Sequence, residues 1–410
     1  MVVEILDLHS KWEAEEETRP PLHLVFIEEP EAHLHAQLQQ VFVRNVLSLL
    51  TSDGAAPNAF SSQVVVTTHS PHVTYERGFN PIRYFRRHLV EGEQSTQVLN
   101  LSSFQAGDNA KDRDFLQRYL KLTHCDLFFA DAAILVEGNV ERLLMPLMIE
   151  KEAKSLRSAA LCILEVGGAF GHRFKELIEF LGITTLIVTD IDSVTDAAVP
   201  ADDLGDEDED IEFEIPGADG ADEPQKRFGK CCLPGMAGAV TSNQTLIQWL
   251  PRVRTIADLL AAEDGAKIEE LANSAPAKVR VAYQVATNVS WLETESSLCG
   301  RTLEESFGLE NAEWCQALLQ RPIGLKLKSA PVDASLLATG LHKRVTSKGF
   351  DKTKFALQVL AANKDAWSVP LYIRQGLQWL KEEIDLKVGQ EAEAIAEGVA
   401  EAPVHVGPEA

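Results

Sequence analysis

The residues best placed to do chemistry are carboxylates that end short apolar runs. Residues 132–136, AAILV, lead straight into Glu137, and LIV at 186–188 leads through Thr189 to Asp190 and Asp192. Runs of this length and composition suit buried parallel strands. In an open parallel α/β sheet, ligands sit at the carboxyl ends of the strands. Glu137, Asp190 and Asp192 are therefore expected at one sheet edge. Glu141 follows Glu137 by four residues, one turn into the next helix, and can face the same place. Four carboxylates converging on one edge repel one another unless a cation sits among them. Hard divalent ions with oxygen ligands, Mg²⁺ or Mn²⁺, are the natural candidates.

The elements that must position these side chains can be read from the same stretch. NVERLLMPLMIEKEAKSL reads as a helix, CILEVGG as a strand entering a glycine turn, and HRFKELIEFLGI as an amphipathic helix before TTLIVTDID. Upstream, LVFI forms a strand ended by Glu28, Glu29 and Pro30, and an amphipathic helix follows. VVVTTHS gives a second strand ending in Thr68, His69 and Ser70.

A glutamate after the first strand and a D-x-D after a later one resembles the Toprim domain of topoisomerases, primases and related nucleases. The strings ILVEGNVERLLMP, VTDID and TSNQTLIQWLP resemble, more narrowly, the OLD family of ATP-dependent endonucleases. The upstream pair, IEEPEAHLH and TTHS, resembles the Walker B and H-loop strands of ABC-type ATPases, as found in OLD, RecF and SMC proteins. The resemblance covers roughly residues 22 to 385. It implies an α/β fold: the C-terminal lobe of an ABC-type ATPase, then a Rossmann-like parallel Toprim sheet with a helical subdomain. In the ATPase lobe, Glu28 would hold the Mg²⁺ of ATP through water, Glu29 would polarise the attacking water and His69 would contact the γ-phosphate. In GRTLEESFGLEN (300–311) the family pattern implies a further metal-site carboxylate, Glu304 with Glu305 as the alternative. In DKTKFAL it implies a catalytic lysine, Lys352 with Lys354 as the alternative, to stabilise transition-state charge.

The chain departs from the ATPase pattern in two respects. The metal-holding residue is Glu28 rather than the usual Asp, as is common in the OLD type. More seriously, the chain has no G-x-x-x-x-G-K-[ST] phosphate loop. Without those backbone donors and that lysine, tight ATP binding by this chain alone is not expected. ATP is expected only with an ATPase half that this sequence lacks, whether the chain is a fragment, is completed by a separate chain, or keeps the lobe as a remnant. ABC-type ATPases work head to head, so a homodimer is expected once that half is restored.

Composition narrows the partners. The formal charge of −24 argues against nucleic acid at first sight. Residues 201–226 hold twelve acidic side chains against one basic, and the tail after Lys387 adds five Glu. Together they carry about two thirds of the net charge. The remainder is mildly acidic, so DNA binding stays open through local basic patches such as RYFRRH (83–88) and LHKR (341–344). Six cysteines without a C-x-x-C pair read as reduced thiols. No apolar run is long enough to cross a bilayer, and the acidic N-terminus does not resemble a signal peptide. A cytoplasmic protein without a membrane partner is expected.

The expected organisation is a partial ATPase lobe over 1–105, a connecting helix over 106–130 and a Toprim core over 131–240 with a disordered acidic insertion at 194–226. A helical subdomain over 241–387 and a disordered tail over 388–410 complete it. By the resemblance, Glu137, Glu141, Asp190, Asp192 and Glu304 would bind two Mg²⁺ or Mn²⁺ ions for in-line DNA hydrolysis, with a role in phage defence or DNA repair beside a possible second protein. A topoisomerase also needs a nucleophilic tyrosine, and none of Tyr75, Tyr84, Tyr119, Tyr283 and Tyr372 has a setting that argues for it. A bacterial-type primase would bring zinc-binding cysteines, which are missing. The non-enzymatic alternative is an SMC- or RecF-like DNA-binding or assembly module with Toprim as scaffold.

Overall fold

Apolar runs become strands where the sequence places them, beginning with two that lie side by side. In the computed structural model, which describes residues 2–14, 17–18, 20–32, 34–50, 62–75, 78–90, 93–104, 115–120, 125–195, 210–215, 225–271, 277–317 and 323–401, β1 (Leu24–Glu28) pairs in parallel with β2 (Gln63–Thr67). The chain divides into two compact units: Met1–Arg86 with Thr96–Phe129, and Arg87–Ser95 with Ala130–Ala410.

In the first unit, β1 alternates: Val25 and Ile27 are buried against Ile5, Phe42, Val64 and Val66. Phe26 faces the other way and is 69% exposed, as are Leu24 and its neighbour Val65 to lesser degrees. Helices α1 (Val2–Glu13), α2 (Ala36–Leu50) and α3 (Pro71–Tyr75) accompany the pair, and β3 (Arg83–Val90) pairs with β4 (Glu93–Asn100). Among the described residues of the connecting helix expected over 106–130, α4 (115–120) is α-helical and Cys125–Phe129 is a 3₁₀ turn. Residues 105–114 and 121–124 lie outside the described residues.

The second unit is built on a five-stranded sheet. β5 (Ala132–Val136), β6 (Leu161–Glu165), β7 (Thr184–Val188) and β13 (Lys278–Ala282) are parallel in the order β6-β5-β7-β13. β12 (Ile268–Glu270) adds an antiparallel edge beside β13. β5 and β7 lie inside the sheet and every residue of both is buried, whereas the edge strand β6 alternates. That is why AAILV and TTLIV are continuous apolar or small runs. Helix α5 (Asn139–Glu152) crosses from β5 to β6, and α6 (Lys175–Leu181) from β6 to β7. This order reverses between β5 and β7, and in open α/β sheets such a switch point is where ligands bind, beyond the strand ends. Glu137 and Asp190 stand there.

The acidic insertion leaves just after the D-x-D. β8 (Ser193–Val194) pairs with β11 (Val240–Thr241). Disorder is not what the described part of 194–226 adopts: β9 (Asp210–Ile215) and β10 (Gln225–Lys230) form an antiparallel pair. The alternation of acidic and apolar residues in DIEFEI gives it strand character that the charge count hid. Residues 196–209 and 216–224 lie outside the described residues.

The stretch 241–387 is not purely helical. α7 (Gln244–Gln248) and α8 (Ile256–Ala261) are helices. VRVA in 278–282, however, is a fully interior strand of the sheet, so the core extends past 240. Short apolar runs fit helix and strand alike until tertiary burial chooses. β14 (Thr287–Trp291) and β15 (Thr294–Leu298) make a hairpin. Then come α9 (Leu303–Glu310), α10 (Ala312–Gln316), α11 (Ala334–Val345), α12 (Lys352–Leu360) and α13 (Leu371–Glu401). α13 lies on the sheet: a Cβ on Gly376 would meet Leu186 Cδ1 at 2.9 Å and Ala282 Cβ at 3.1 Å. It continues to Glu401, so the tail expected to be disordered from 388 is helical as far as it is described. Phe307, Phe355, Trp367, Tyr372 and Ile373 join β5 and β7 side chains in one core, which ties α9, α12 and α13 to the sheet edge.

Candidate active site

Three of the expected carboxylates are fixed in the same way. Glu137 follows β5, and its Oε2 accepts from the Asp190 N–H and from Thr189 Oγ1, both at 2.9 Å. Asp190 follows β7, and its Oδ1 accepts from Gln284 Nε2 at 2.6 Å and from the Leu303 N–H, the first of α9, at 3.0 Å. Glu304 is 1% exposed, and Thr302 Oγ1 donates to its Oε2 at 2.8 Å. In each, one oxygen is tied by protein donors. The other oxygen accepts no hydrogen bond from the described residues, and Glu304 Oε1 is buried in that state.

Glu141 joins them through the helix start. Its carboxylate Oε2 accepts from the Gly138 N–H at 3.1 Å, satisfying a donor that the first turn of α5 leaves open. Lys352 opens α12, capped by Asp351, and its Nζ lies 3.5 Å from Glu304 Oε1. Lys354, the alternative, is exposed, and its N–H donates to Asp351 Oδ1. Glu305 is equally buried but engaged elsewhere: His342 Nδ1 is 2.9 Å from its Oε1, and the Arg301 N–H donates to its Oε2 at 2.9 Å.

Asp192 stands apart from this pattern. Its backbone has φ +44°, a left-handed conformation that costs free energy in a non-glycine residue. Its carbonyl accepts from the Ser242 N–H and Oγ, and its Oδ1 lies 2.8 Å from Arg301 Nη2.

Charge crowding follows from the geometry. Burial first, then Asp192 and Glu141, pushes Glu137 up to about 8, although the bonds from Asp190 and Thr189 oppose this. Burial and then Glu304 raise Glu141 to about 7. Burial raises Asp190 well above the usual carboxylate range, and Glu137, Glu141, Asp192 and Glu304 add to the effect. Burial alone would lower the Lys352 ammonium, but Glu304, Asp190, Glu141 and Glu137 override it and hold the proton on. Buried carboxylates short of cation, each with an untied oxygen, are the donor set a hard divalent ion takes. No three His, Cys, Asp or Glu side chains among the described residues form a closed metal-holding group.

Sequence reasoning did not find the residues that set this geometry. Gln284 is wholly buried, and one amide serves three partners: Nε2 donates to Asp190 Oδ1 and Tyr372 Oη, and Oε1 accepts from the Ile191 N–H at 2.6 Å. It was hidden because β13, which ends two residues before it, lies in a stretch expected to be helical. Asn243, also fully buried, donates Nδ2 to Thr189 Oγ1 at 2.7 Å and to the Asp190 carbonyl at 2.9 Å, while its Oδ1 caps α7. The string TSNQ held it in plain view without saying what it does. Tyr372 is a buried phenol raised well above its usual value by burial and then by Asp190, so it is no nucleophile.

In the first unit, Glu28 ends β1 with its side chain exposed. Glu29 follows with φ +39°, its N–H donating to the Thr67 carbonyl and hydroxyl, and its Oε1 lies 3.0 Å from His69 Nε2. Glu31, not singled out from sequence, bridges the two strand ends: Oε1 accepts from Thr68 Oγ1 at 2.6 Å and from the His69 N–H at 2.7 Å. Its Oε2 is buried without a hydrogen-bond partner.

Residues 128–192, from before β5 to the D-x-D, match the family described as overcoming lysogenization defect protein-like, TOPRIM domain. The chain carries an OLD-like Toprim domain. Residues 1–74 match an AAA ATPase domain, the stretch that holds Glu28, Glu29 and His69. The OLD-like chain is 24% identical over 94% of its length to Endonuclease GajA of Bacillus cereus (strain HuB5-5), covering 52% of that protein. It is 26% identical over 36% of its length to the OLD nuclease of Thermus scotoductus, and 26% identical over 41% to Endonuclease GajA of B. cereus (strain VD045), covering 26% of each. It thus spans about half the length of the first relative and a quarter of the other two. Among the described residues no helix is long and apolar enough to cross a membrane.

Proposed function

We propose that the OLD-like Toprim unit is the nuclease centre of a metal-dependent DNA endonuclease. The observation that carries this reading is the set of carboxylates at the β5 and β7 ends, each with one oxygen tied and one untied, beside a charged lysine. Glu137, Glu141, Asp190, Asp192 and Glu304 are the residues that would hold Mg²⁺ or Mn²⁺, two ions in the loaded, DNA-bound site. Such ions would supply an activated water and stabilisation of the leaving 3′-oxygen. The chain's own residues do the rest. Gln284, Asn243 and the α9 N-terminus hold Asp190 in one orientation. Lys352, charged at any working pH, is placed to donate to a phosphate oxygen as charge builds on it. The names of the relatives, two endonucleases and a nuclease, support the same reading.

DNA as substrate is supported by a basic rim beside the site. Lys343 and Arg344 close α11, and Lys352 and Lys354 open α12. Backbone contacts of this kind give low sequence specificity and strong salt dependence. Coupling to ATP belongs to the protein completed by a phosphate loop. The exposed Leu24, Phe26 and Val65 face of the β1–β2 pair supports that, because parallel sheets are normally covered on both faces. The proposal extends to a homodimer, a cytoplasmic setting and a role in phage defence or DNA repair, the last suggested by the resemblance to the OLD family.

The test is supercoiled plasmid with Mg²⁺ or Mn²⁺ and no ATP, beside Asp190→Ala. Nicking or linearisation by the unsubstituted chain only is the expected result. Equal cleavage by both would sink the assignment. No cleavage by a folded chain that binds Mn²⁺ would favour the assembly-module reading.

A further inference from the structure

We infer that Arg301 is a built-in cation that occupies the Asp192 half of the carboxylate cluster, so that without DNA the site takes up one divalent ion rather than two. The inference rests on the metal-nuclease reading above.

The guanidinium is not a surface group resting on the nearest acid. Arg301 is 7% exposed. Nη2 lies 2.8 Å from Asp192 Oδ1, and Nε donates to the Ser193 carbonyl at 3.0 Å. Its own N–H donates to Glu305 Oε2, which His342 holds from the other side. The preceding residue fixes its height: a Cβ on Gly300 would fall 2.4 Å from the Ser306 nitrogen, so only glycine lets the backbone come this close. Asp192 is held just as firmly, in a left-handed conformation with its carbonyl bound by Ser242. Neither partner can leave without stranding a buried polar group.

Arginine does not lose its proton in such a place, and Asp192 reinforces the charge against burial. The five carboxylates are thus split. Asp192 is ion-paired with a fixed positive charge, while the cation that Glu137, Glu141, Asp190 and Glu304 have in common is Lys352, whose side chain is half exposed. A first ion goes where the uncompensated oxygens are. A second ion at Asp192 would approach a guanidinium that cannot move away. Arg301 therefore makes uptake of the second ion depend on added negative charge, which the DNA phosphate brings. Arg301 is a positioning residue for Asp192 and a regulator of ion count, not a group that touches the scissile phosphate.

The experiment is titration of the full metal-free chain with Mn²⁺ at pH 8 without DNA. Free Mn²⁺ is read by electron paramagnetic resonance, and the count is taken as the difference from Asp190→Asn. The expected result is one Mn²⁺ per unsubstituted chain with the spectrum of an isolated ion, two spin-coupled ions for Arg301→Met, and one for Arg301→Lys, which keeps a cation. Two coupled ions in the unsubstituted chain overturn the inference, and that measurement decides even if Arg301→Met does not fold. A count of one in a folded Arg301→Met chain overturns it as well. No Mn²⁺ bound by the unsubstituted chain overturns the metal reading itself, and the inference falls with it.

Discussion

Asp190→Asn should make the metal-free protein more stable, and increasingly so as pH rises. Asp190 is 5% exposed, and its Oδ1 already accepts from Gln284 and Leu303, which an asparagine oxygen can do unchanged. The substitution removes charge and little else. Its folded carboxyl titrates well above the ordinary 3.8. Between those values the folded chain keeps a proton that the unfolded chain has released, so stability falls with rising pH. One carboxyl held protonated across such a range costs about 1.4 kcal/mol per pH unit. Wherever between pH 5 and pH 8 that proton stays on, the gap between variant and parent should widen by about 1.4 kcal/mol per pH unit. For a unit of this size that is a melting shift of roughly 2–3 °C per pH unit. The assay is thermal unfolding in chelator at pH 5, 6, 7 and 8, then with Mn²⁺. Saturating Mn²⁺ at a hundred times its dissociation constant should add about 2.7 kcal/mol to the parent and nothing to the variant. A gap that stays constant with pH, or a variant that melts lower at pH 8, would refute the claim that these carboxylates repel one another in the folded state.

Further outcomes follow from the same contacts. Lys352→Gln should lower plasmid cleavage by about 10²–10³ while leaving Mn²⁺ binding in place; loss of the ion instead would make the lysine a structural counter-charge. Glu304→Gln should abolish cleavage. Glu305→Gln should cost about 1–3 kcal/mol of stability through its His342 and Arg301 contacts but keep cleavage in the folded fraction, and the reverse pattern would move the metal role to Glu305. Asn243→Ala removes an α7 cap and two anchors of the Thr189–Asp190 turn, so cleavage should fall further than a melting curve accounts for. Glu29→Gln should leave ATP-free, metal-dependent cleavage unchanged, since Glu29 engages His69 and the β2 end rather than the Toprim carboxylates; reduced cleavage would count against two separate chemistries.

The parts of this molecule that were legible in the sequence are those fixed by local composition. AAILV and TTLIV are buried on both sides because they are interior parallel strands, and nothing but a strand end could follow them with a lone Glu or Asp. The strand ends at Glu28-Glu29 and His69 were legible from the apolar runs LVFI and VVV before them, although β1 and β2 are not buried on both faces. What could not be read are the choices made by distant contacts. VRVA looks helical until β7 and β12 lie on either side of it, and misreading it hid Gln284. DIEFEI was masked by the charge around it, although its alternation had the period of a strand.

The site itself divides along the same line. Carboxylate type and spacing placed Glu137, Glu141, Asp190 and Asp192 at one edge, but not which oxygen of each is tied. That depends on donors 53 to 113 residues away in sequence: Asp190 for Glu137, Gln284 and Leu303 for Asp190. The same holds for the split between neighbours. Glu304 and Glu305 are adjacent, equally buried and chemically alike, and one helical step aims the first at Lys352 and the second at His342. Spacing cannot separate two such residues, because the difference is made by α11 and α12, which supply the partners. A carboxylate whose second oxygen is already claimed by a histidine is spent, and one whose buried oxygen has no hydrogen-bond donor still has something to bind. That distinction, rather than the number of acids at the edge, is what makes the cluster a candidate site for chemistry.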